Sequence, residues 1–267
     1  MLENKKKNII RAKRNNTILP YKILNKLIRE SVRDGYRHIQ LLDIFGQRYI
    51  AAGLECSKGD QVELEINGVP GNDLGIFMDG PKIVVKGNAE DQIGNTMNDG
   101  TIIVHGDCRD VAGLSMRGGK IFVKGNGGYR IGIHMKEYRT QIPILIFGGA
   151  VREFFGEYMA GGILVALGLQ FNNSKLSNVK KVVAPNVGNG IHGGRIYIRG
   201  NVPEEFLGVG TVKSPLINED YRILKPIISE FSSYFDLDVD FIWDTSFTKI
   251  SPGSHRPFAT YYTAKPI

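Results

Sequence analysis

Four methionines of this chain, Met78, Met97, Met116 and Met135, stand nineteen residues apart, and other columns keep the same step. Glycines hold it at Gly75, Gly94, Gly113 and Gly132 and again at Gly68, Gly87, Gly106 and Gly125, and apolar residues hold it at Ile66, Val85, Val104 and Val123. A period near twenty residues, carrying one β-branched run and two glycines per unit, predicts a solenoid. One such unit cannot bury its apolar face alone and has to stack on its neighbours. The repeat therefore constrains the fold before any other property does.

The period can be followed from Gln61 to Gly200, taking each unit from one strand-ending glycine to the next. The unit that ends at Gly148 is longer (a step of 23 from Gly125), the next step is 20, to Gly168, and the last is 32, to Gly200. The extra residues of that last unit fall in LQFNNSKLSNVKKVVAP, read as a loop that leaves the stack and returns. Stacking turns columns into ladders. Ile66, Val85, Val104, Val123, Ile146, Val165 and Ile198 are assigned to one inward apolar ladder, and Met78, Met97, Met116, Met135 and Met159 to another, continued by Ile191. Gly75, Gly94, Gly113, Gly132, Gly156 and Gly188 mark a corner, either for positive φ or because no Cβ fits. Asn88, Asp107 and Asn126, each next to a strand-ending glycine, suit polar turns whose side chains bond neighbouring amides.

Three segments are expected: 1–58 with a basic arm, an amphipathic helix and short strands, 59–201 with the repeat, and 202–267 as an α/β tail. Pro20 opens the helix, Ile23, Leu24, Leu27, Ile28 and Val32 line it, and Gly35 stops it. Short extended pieces follow at Ile39 to Ile44 and Arg48 to Ala51. In the tail, Asn218 is read as the cap of a helix lined by Tyr221, Leu224, Ile227, Ile228 and Phe231, with extended pieces at DVDFIWD and SFTKIS.

Composition removes several classes. The net charge of +7 is concentrated in the first fourteen residues, where Lys5, Lys6, Lys7, Arg11, Lys13 and Arg14 against Glu3 give +5, so the remaining chain carries only +2. That reads as a solvated basic terminus rather than a nucleic-acid face. No apolar run has transmembrane length and no signal-peptide pattern opens the chain, so a cytoplasmic protein is expected. Cys56 and Cys108 form no CxxC pair and read as reduced structural thiols. A methionine column can bind copper(I), but alternation with glycine and aliphatic columns makes these residues fillers of a narrow core. His38, His105, His134, His192 and His255 are scattered, none at a recognised metal spacing. Asp91 and Asp110 share a column with Asn72 and Tyr129, which reads as structural rather than as a glycosidase pair, and one Trp is little for stacking on sugars.

The pieces GNDLGIFMDG, GNAEDQIGNTMNDG, GGYRIGIHMKEY, GEYMAGGILVALG and GNGIHGGRIYIRG, over roughly 66–200, resemble the GXGXG domain, the C-terminal β-helix of the glutamate synthase large subunit. The corresponding non-catalytic component of formylmethanofuran dehydrogenase is a more distant relative. The flanks LNKLIRESVRDGY, FGQRYIAAGL and FTKISPGSHRPF look like the free-standing form of the GXGXG domain. The resemblance implies an all-β core, a single-stranded right-handed parallel β-helix of about seven coils, with an N-terminal helix and a small C-terminal α/β tail. It also implies a scaffold subunit with no catalytic, cofactor-binding or metal residue of its own. FMN and iron–sulfur centres would reside in partner subunits, a glutaminase and an FMN-containing synthase. The residues agree, since a glutaminase needs an N-terminal cysteine where this chain has Met1-Leu2, and an iron–sulfur centre needs clustered cysteines. No glycine-rich phosphate loop for FMN or a nicotinamide cofactor follows a strand and opens a helix. A homo-oligomer, a scaffold in a formylmethanofuran-dehydrogenase-like or other redox complex, and an independent carbohydrate-active enzyme remain as alternatives.

Overall fold

The structure, a computed structural model, describes residues 7–14, 17–57, 59–172 and 175–254. The start of the basic arm, with Lys5 and Lys6, and the end of the chain from His255 lie outside the described residues. The elements in order are β1 (Lys7–Arg11), β2 (Lys13–Arg14), β3 (Thr17–Ile18), α1 (Tyr21–Arg33), β4 (His38–Phe45), β5 (Glu63–Val69), β6 (Asp79–Val85), β7 (Asp99–Val104) and β8 (Lys120–Val123). They continue with β9 (Ile144–Phe147), β10 (Ala160–Ala166), β11 (Leu169–Asn172), β12 (Lys175–Asn178), β13 (Gly193–Arg199), a 3-10 turn (Glu204–Phe206), β14 (Thr211–Pro215), α2 (Asn218–Phe235), α3 (Val239–Trp243) and β15 (Phe247–Pro252).

Eleven strands make one sheet in the order β1-β4-β5-β6-β7-β8-β9-β10-β13-β15-β14. All neighbours from β1 to β13 run parallel, and β15 is antiparallel to both β13 and β14. This corrects the expected all-β, seven-coil β-helix, because the strands belong to a mostly parallel mixed sheet with helices packed on it, an α/β-type architecture. The nineteen-residue period specifies a strand and its return. It carries no information about β1, β4, β14 and β15, which lie outside the repeat and extend the same sheet at both ends.

The hydropathy of each strand follows from what covers it. In β4 and β5 residues alternate, with Ile39, Leu41, Leu64 and Ile66 buried and Gln40 and Glu65 on the other face, where Gln40 Nε2 donates to Glu65 Oε1 at 3.1 Å. That is the period of a strand buried on one face. From β6 onward the runs IVV, IIV, IFV and ILIF are apolar without alternation, because both faces are covered. On one face the ladder Leu64, Ile83, Ile102, Ile121, Leu145, Leu164 and Ile196 meets the methionines in the first core. On the other, Val84, Ile103, Phe122, Ile146, Val165 and Tyr197 meet Leu224, Ile227, Ile228, Phe231 and Phe235 of α2. A fully buried side chain of this size contributes about 1.5–3 kcal/mol, so the second layer is a substantial part of the fold.

The register corrects one ladder. Val123 pairs with Phe147, Phe147 with Ala166 and Ala166 with Ile198, so Phe147 and Ala166 continue the Val85 column, while Ile146 and Val165 face α2. The true step from β8 to β9 is 24 (Lys120 to Ile144) and from β9 to β10 is 19 (Ile144 to Ile163). The doublet Gly148-Gly149 hides this, since it is Gly149 that donates to Gly125 O at 2.8 Å. A one-residue slip exchanges the two faces of a strand.

Three further expectations change. Residues 49–53 form turns rather than a strand. The DFIWD piece forms α3, capped by Asp238 Oδ1, which accepts from Asp240 N at 2.9 Å, and held to β13 by buried Arg199, which donates to the carbonyls of Ile242 (2.7 Å) and Phe241 (2.9 Å). Asn218 is the first residue of α2, not its cap, and Asp220 Oδ2 accepts from Ile217 N at 2.9 Å. The insertion of the last unit is an antiparallel hairpin, β11 with β12. In α1, Leu24 and Ile28 are buried and Ile23 is exposed. Among the described residues no helix is long and apolar enough to cross a membrane.

Candidate functional site

Each of three successive strands leads into the same short sequence: Lys86-Gly87-Asn88, His105-Gly106-Asp107 and Lys124-Gly125-Asn126. Asn88 Oδ1 accepts from Asp107 N at 2.9 Å, Asp107 Oδ1 accepts from Asn126 N at 2.7 Å and from Asn126 Nδ2 at 3.2 Å, and Asn126 Oδ1 accepts from Ala150 N at 2.9 Å. A Cβ on Gly106 or Gly125 would collide with the accepting oxygen of Asn88 or Asp107, so glycine is what lets the amide ladder close.

One residue before each glycine, Lys86, His105 and Lys124 project from the face that carries α2. The His105 ring meets Phe235 edge-on at 5.3 Å, and Lys124 Nζ lies 5.0 Å over the ring of Phe171 from β11. Between this column and the β11–β12 hairpin runs a groove of about 660 Å³, lined by Asn88, His105, Lys124, Gln170, Phe171 and Lys180 among others. It shares Lys124 and Phe171 with a second groove of about 760 Å³ that reaches Phe235, Asp236 and Asp238. Burial pushes the His105 imidazole below its ordinary pKa, and Lys86 and Lys124 push it the same way, so it is neutral near pH 7 in a positive field.

A third groove of about 620 Å³ lies beyond the polar turns, lined by Cys108, Arg109, Asp110, Tyr129 and Arg152. Its carboxylates are engaged with backbone: Asp91 Oδ1 accepts from Asp110 N at 3.2 Å, and Asp110 Oδ1 accepts from Tyr129 N at 3.0 Å. Arg109 pairs with Glu90 at 3.0 Å and Asp91 at 3.8 Å, and Arg152 donates to Tyr129 Oη at 3.2 Å. The Cys108 thiol is buried, and burial together with the surrounding carboxylates pushes its pKa far up, the opposite of a poised nucleophile. Burial raises Cys56 as well. Among the described residues no cluster of three histidine, cysteine or carboxylate side chains could hold a metal.

The glycine and methionine columns lie behind these surfaces. Gly75, Gly94, Gly113, Gly132, Gly156 and Gly188 have φ between +63° and +76°, and Met78, Met97, Met116, Met135 and Met159 have no exposed surface. The amide of each of those glycines bonds to a carbonyl of the preceding unit, as Gly113 N does to Ile93 O at 2.8 Å. The model of the GXGXG motif family matches residues 38–252, from the first residue of β4 to the last of β15. The chain belongs to the GXGXG motif family. This GXGXG protein is also 49% identical over 248 residues to the uncharacterized protein MJ1350 of Methanocaldococcus jannaschii, an alignment that covers 91% of the chain and 93% of the relative.

In this GXGXG protein the surface grooves are lined by residues other than the periodic glycines and methionines. The Lys86, His105 and Lys124 column escaped the sequence reading, which treated the histidines one at a time. The signal was present, since the column keeps the nineteen-residue step directly after Val85, Val104 and Val123.

Proposed function

We propose that this GXGXG protein is a non-catalytic scaffold subunit of a glutamate-synthase-type complex, which converts glutamine and 2-oxoglutarate to two glutamates. The observation that carries the reading is the family match along almost the whole sheet, 38–252. It is supported by the chemistry of the site. The carboxylates of the polar turns are spent on backbone amides, and both thiols are shifted away from reactivity. In this reading FMN and the iron–sulfur centre reside in the synthase partner, the cysteine nucleophile resides in the glutaminase partner, and this chain supplies the rigid surface on which both dock.

The test is reconstitution. Tagged protein mixed with the glutaminase and FMN-synthase subunits of the same cell is expected to co-elute with both on size exclusion, and glutamine-dependent glutamate formation is expected to fall when it is omitted. Unchanged activity without it, together with separate elution, would refute the proposal. Co-elution with molybdopterin-enzyme subunits instead would transfer it to the formylmethanofuran-dehydrogenase-like complex.

A further inference from the structure

We infer that the groove between the Lys86, His105 and Lys124 column and the β11–β12 hairpin is a binding site for a small phosphoryl-bearing anion with two or more negative charges. The first observation is unbalanced charge. Lys86, Lys124 and Lys180 make no ion pair among the described residues, whereas Lys82 and Lys120 on the same face pair with Glu63 at 3.4 Å and Glu230 at 2.5 Å. The acidic groups nearest this column are otherwise engaged. Asp107 accepts from the amides of Asn126, and Asp238 caps α3; Asp236, at the end of α2, lies in the adjoining groove.

The second observation is geometry. Lys86 and Lys124 are two strands apart on one sheet face, about 10 Å at the backbone, with His105 between them and Lys180 on the hairpin side. Lys124 is held over the Phe171 ring, which fixes its ammonium at the mouth of the groove. The third is the donor chemistry. Ammonium groups act as point charges toward phosphate oxygens, whereas a carboxylate is matched best by the fork of an arginine, and among the described residues no arginine lines this groove. Asn88 adds an amide, since its Oδ1 is spent on Asp107 N and its Nδ2 remains to donate. The span between lysines exceeds one phosphate and suits a diphosphate reached from both sides by flexible stems.

The position of His105 supplies an internal reporter. The lysines that would bind the anion are those that hold the imidazole down, so neutralising them has to let its pKa rise. Inorganic pyrophosphate is the probe, added to the full chain at constant ionic strength and followed by calorimetry and by NMR titration of the histidine ring protons. Saturable one-site binding is expected, with an upward shift of the His105 pKa at saturation. Lys86→Gln with Lys124→Gln should weaken binding by about tenfold or more, and Lys22→Gln with Lys26→Gln on α1 should leave it unchanged. Absence of saturable binding, equal loss in both double variants, or binding that leaves the His105 pKa in place would overturn the inference. Binding of a short single-stranded oligonucleotide in place of pyrophosphate would overturn it in favour of a nucleic-acid surface. None of these outcomes depends on the partner subunits, so the site stands or falls separately from the scaffold reading.

Discussion

Gly113 is the position where the packing account can be tested most sharply. Its φ is +71°, and a Cβ built on it would lie 2.5 Å from Leu145 Cδ2 and 3.1 Å from Leu145 Cδ1, inside the first core. Two costs therefore meet in Gly113→Ala. The left-handed backbone costs an L-residue about 1–2 kcal/mol, and forcing a fully buried Leu145 aside costs about 1–3 kcal/mol. The same turn shows that the first cost alone is tolerable, because Val111 and Ser115 hold φ of +64° and +51° without glycine. The sum is about 2–5 kcal/mol, and the steric share is distinguishable through Leu145. In a Leu145→Ala background the colliding atoms are gone, so Gly113→Ala should cost only about 1–2 kcal/mol there. Urea unfolding of parent, both single variants and the double variant completes the cycle, with an expected coupling of about 1–3 kcal/mol. Strict additivity would refute the steric argument, and a total cost below about 1 kcal/mol would refute the glycine requirement altogether.

Two further outcomes follow from the second core. Phe231→Ala empties a fully buried site against Phe122 and Phe235 and should destabilise by about 3–5 kcal/mol in the same urea assay; a loss under about 1 kcal/mol would mean that α2 is not a structural layer. Tyr197 Oη donates to Asp220 Oδ1 at 2.7 Å, and Lys249 lies 2.9 Å from the same oxygen. Burial alone would raise the Asp220 carboxyl, but the Ile217 amide, Tyr197 and Lys249 outweigh it and hold the pKa below the ordinary value. A depressed carboxyl gives stability that is present above the unfolded pKa near about 3.9 and is lost as pH falls through the folded value. Tyr197→Phe should then cost about 1–3 kcal/mol at neutral pH, with the deficit shrinking below about pH 4; an undiminished deficit at about pH 3 would refute the assignment.

Much of the interior was legible because one physical requirement repeats. A side chain that stacks on its own equivalent is selected at each step, so the methionine and glycine columns stand out of the sequence unaided. The strands ELEI and IVV even announce which of them has a second layer, through alternation in one and continuous apolarity in the other. What periodicity could not convey was everything that occurs once. The strands β1, β4, β14 and β15 join the sheet through long-range pairing with no period behind it, and α3 is a five-residue helix whose Asp238 cap competes with a β-rich composition. The slip at β9 has a narrower cause: Gly148 and Gly149 are both acceptable strand ends by sequence, and only the amide bond from Gly149 to Gly125 chooses between them.

The site was less legible than the core for a related reason. Positions 85, 104 and 123 are fixed by packing, and because side chains alternate along a strand, the residue after each is delivered to the outer face at the same spacing whatever its chemistry. Lys86, His105 and Lys124 inherit a ladder that the interior maintains. Sequence shows the spacing; it does not show that α2 stops at Phe235 beside His105, or that a hairpin beginning at Leu169 brings Phe171 over to Lys124. A groove assembled in this way keeps rigid walls from the periodic core while its lining residues carry no packing duty of their own. Substitution at Lys86 or Lys124 can therefore alter what the surface binds at little cost in stability, whereas substitution one residue earlier, at Val85 or Val123, reaches the core directly.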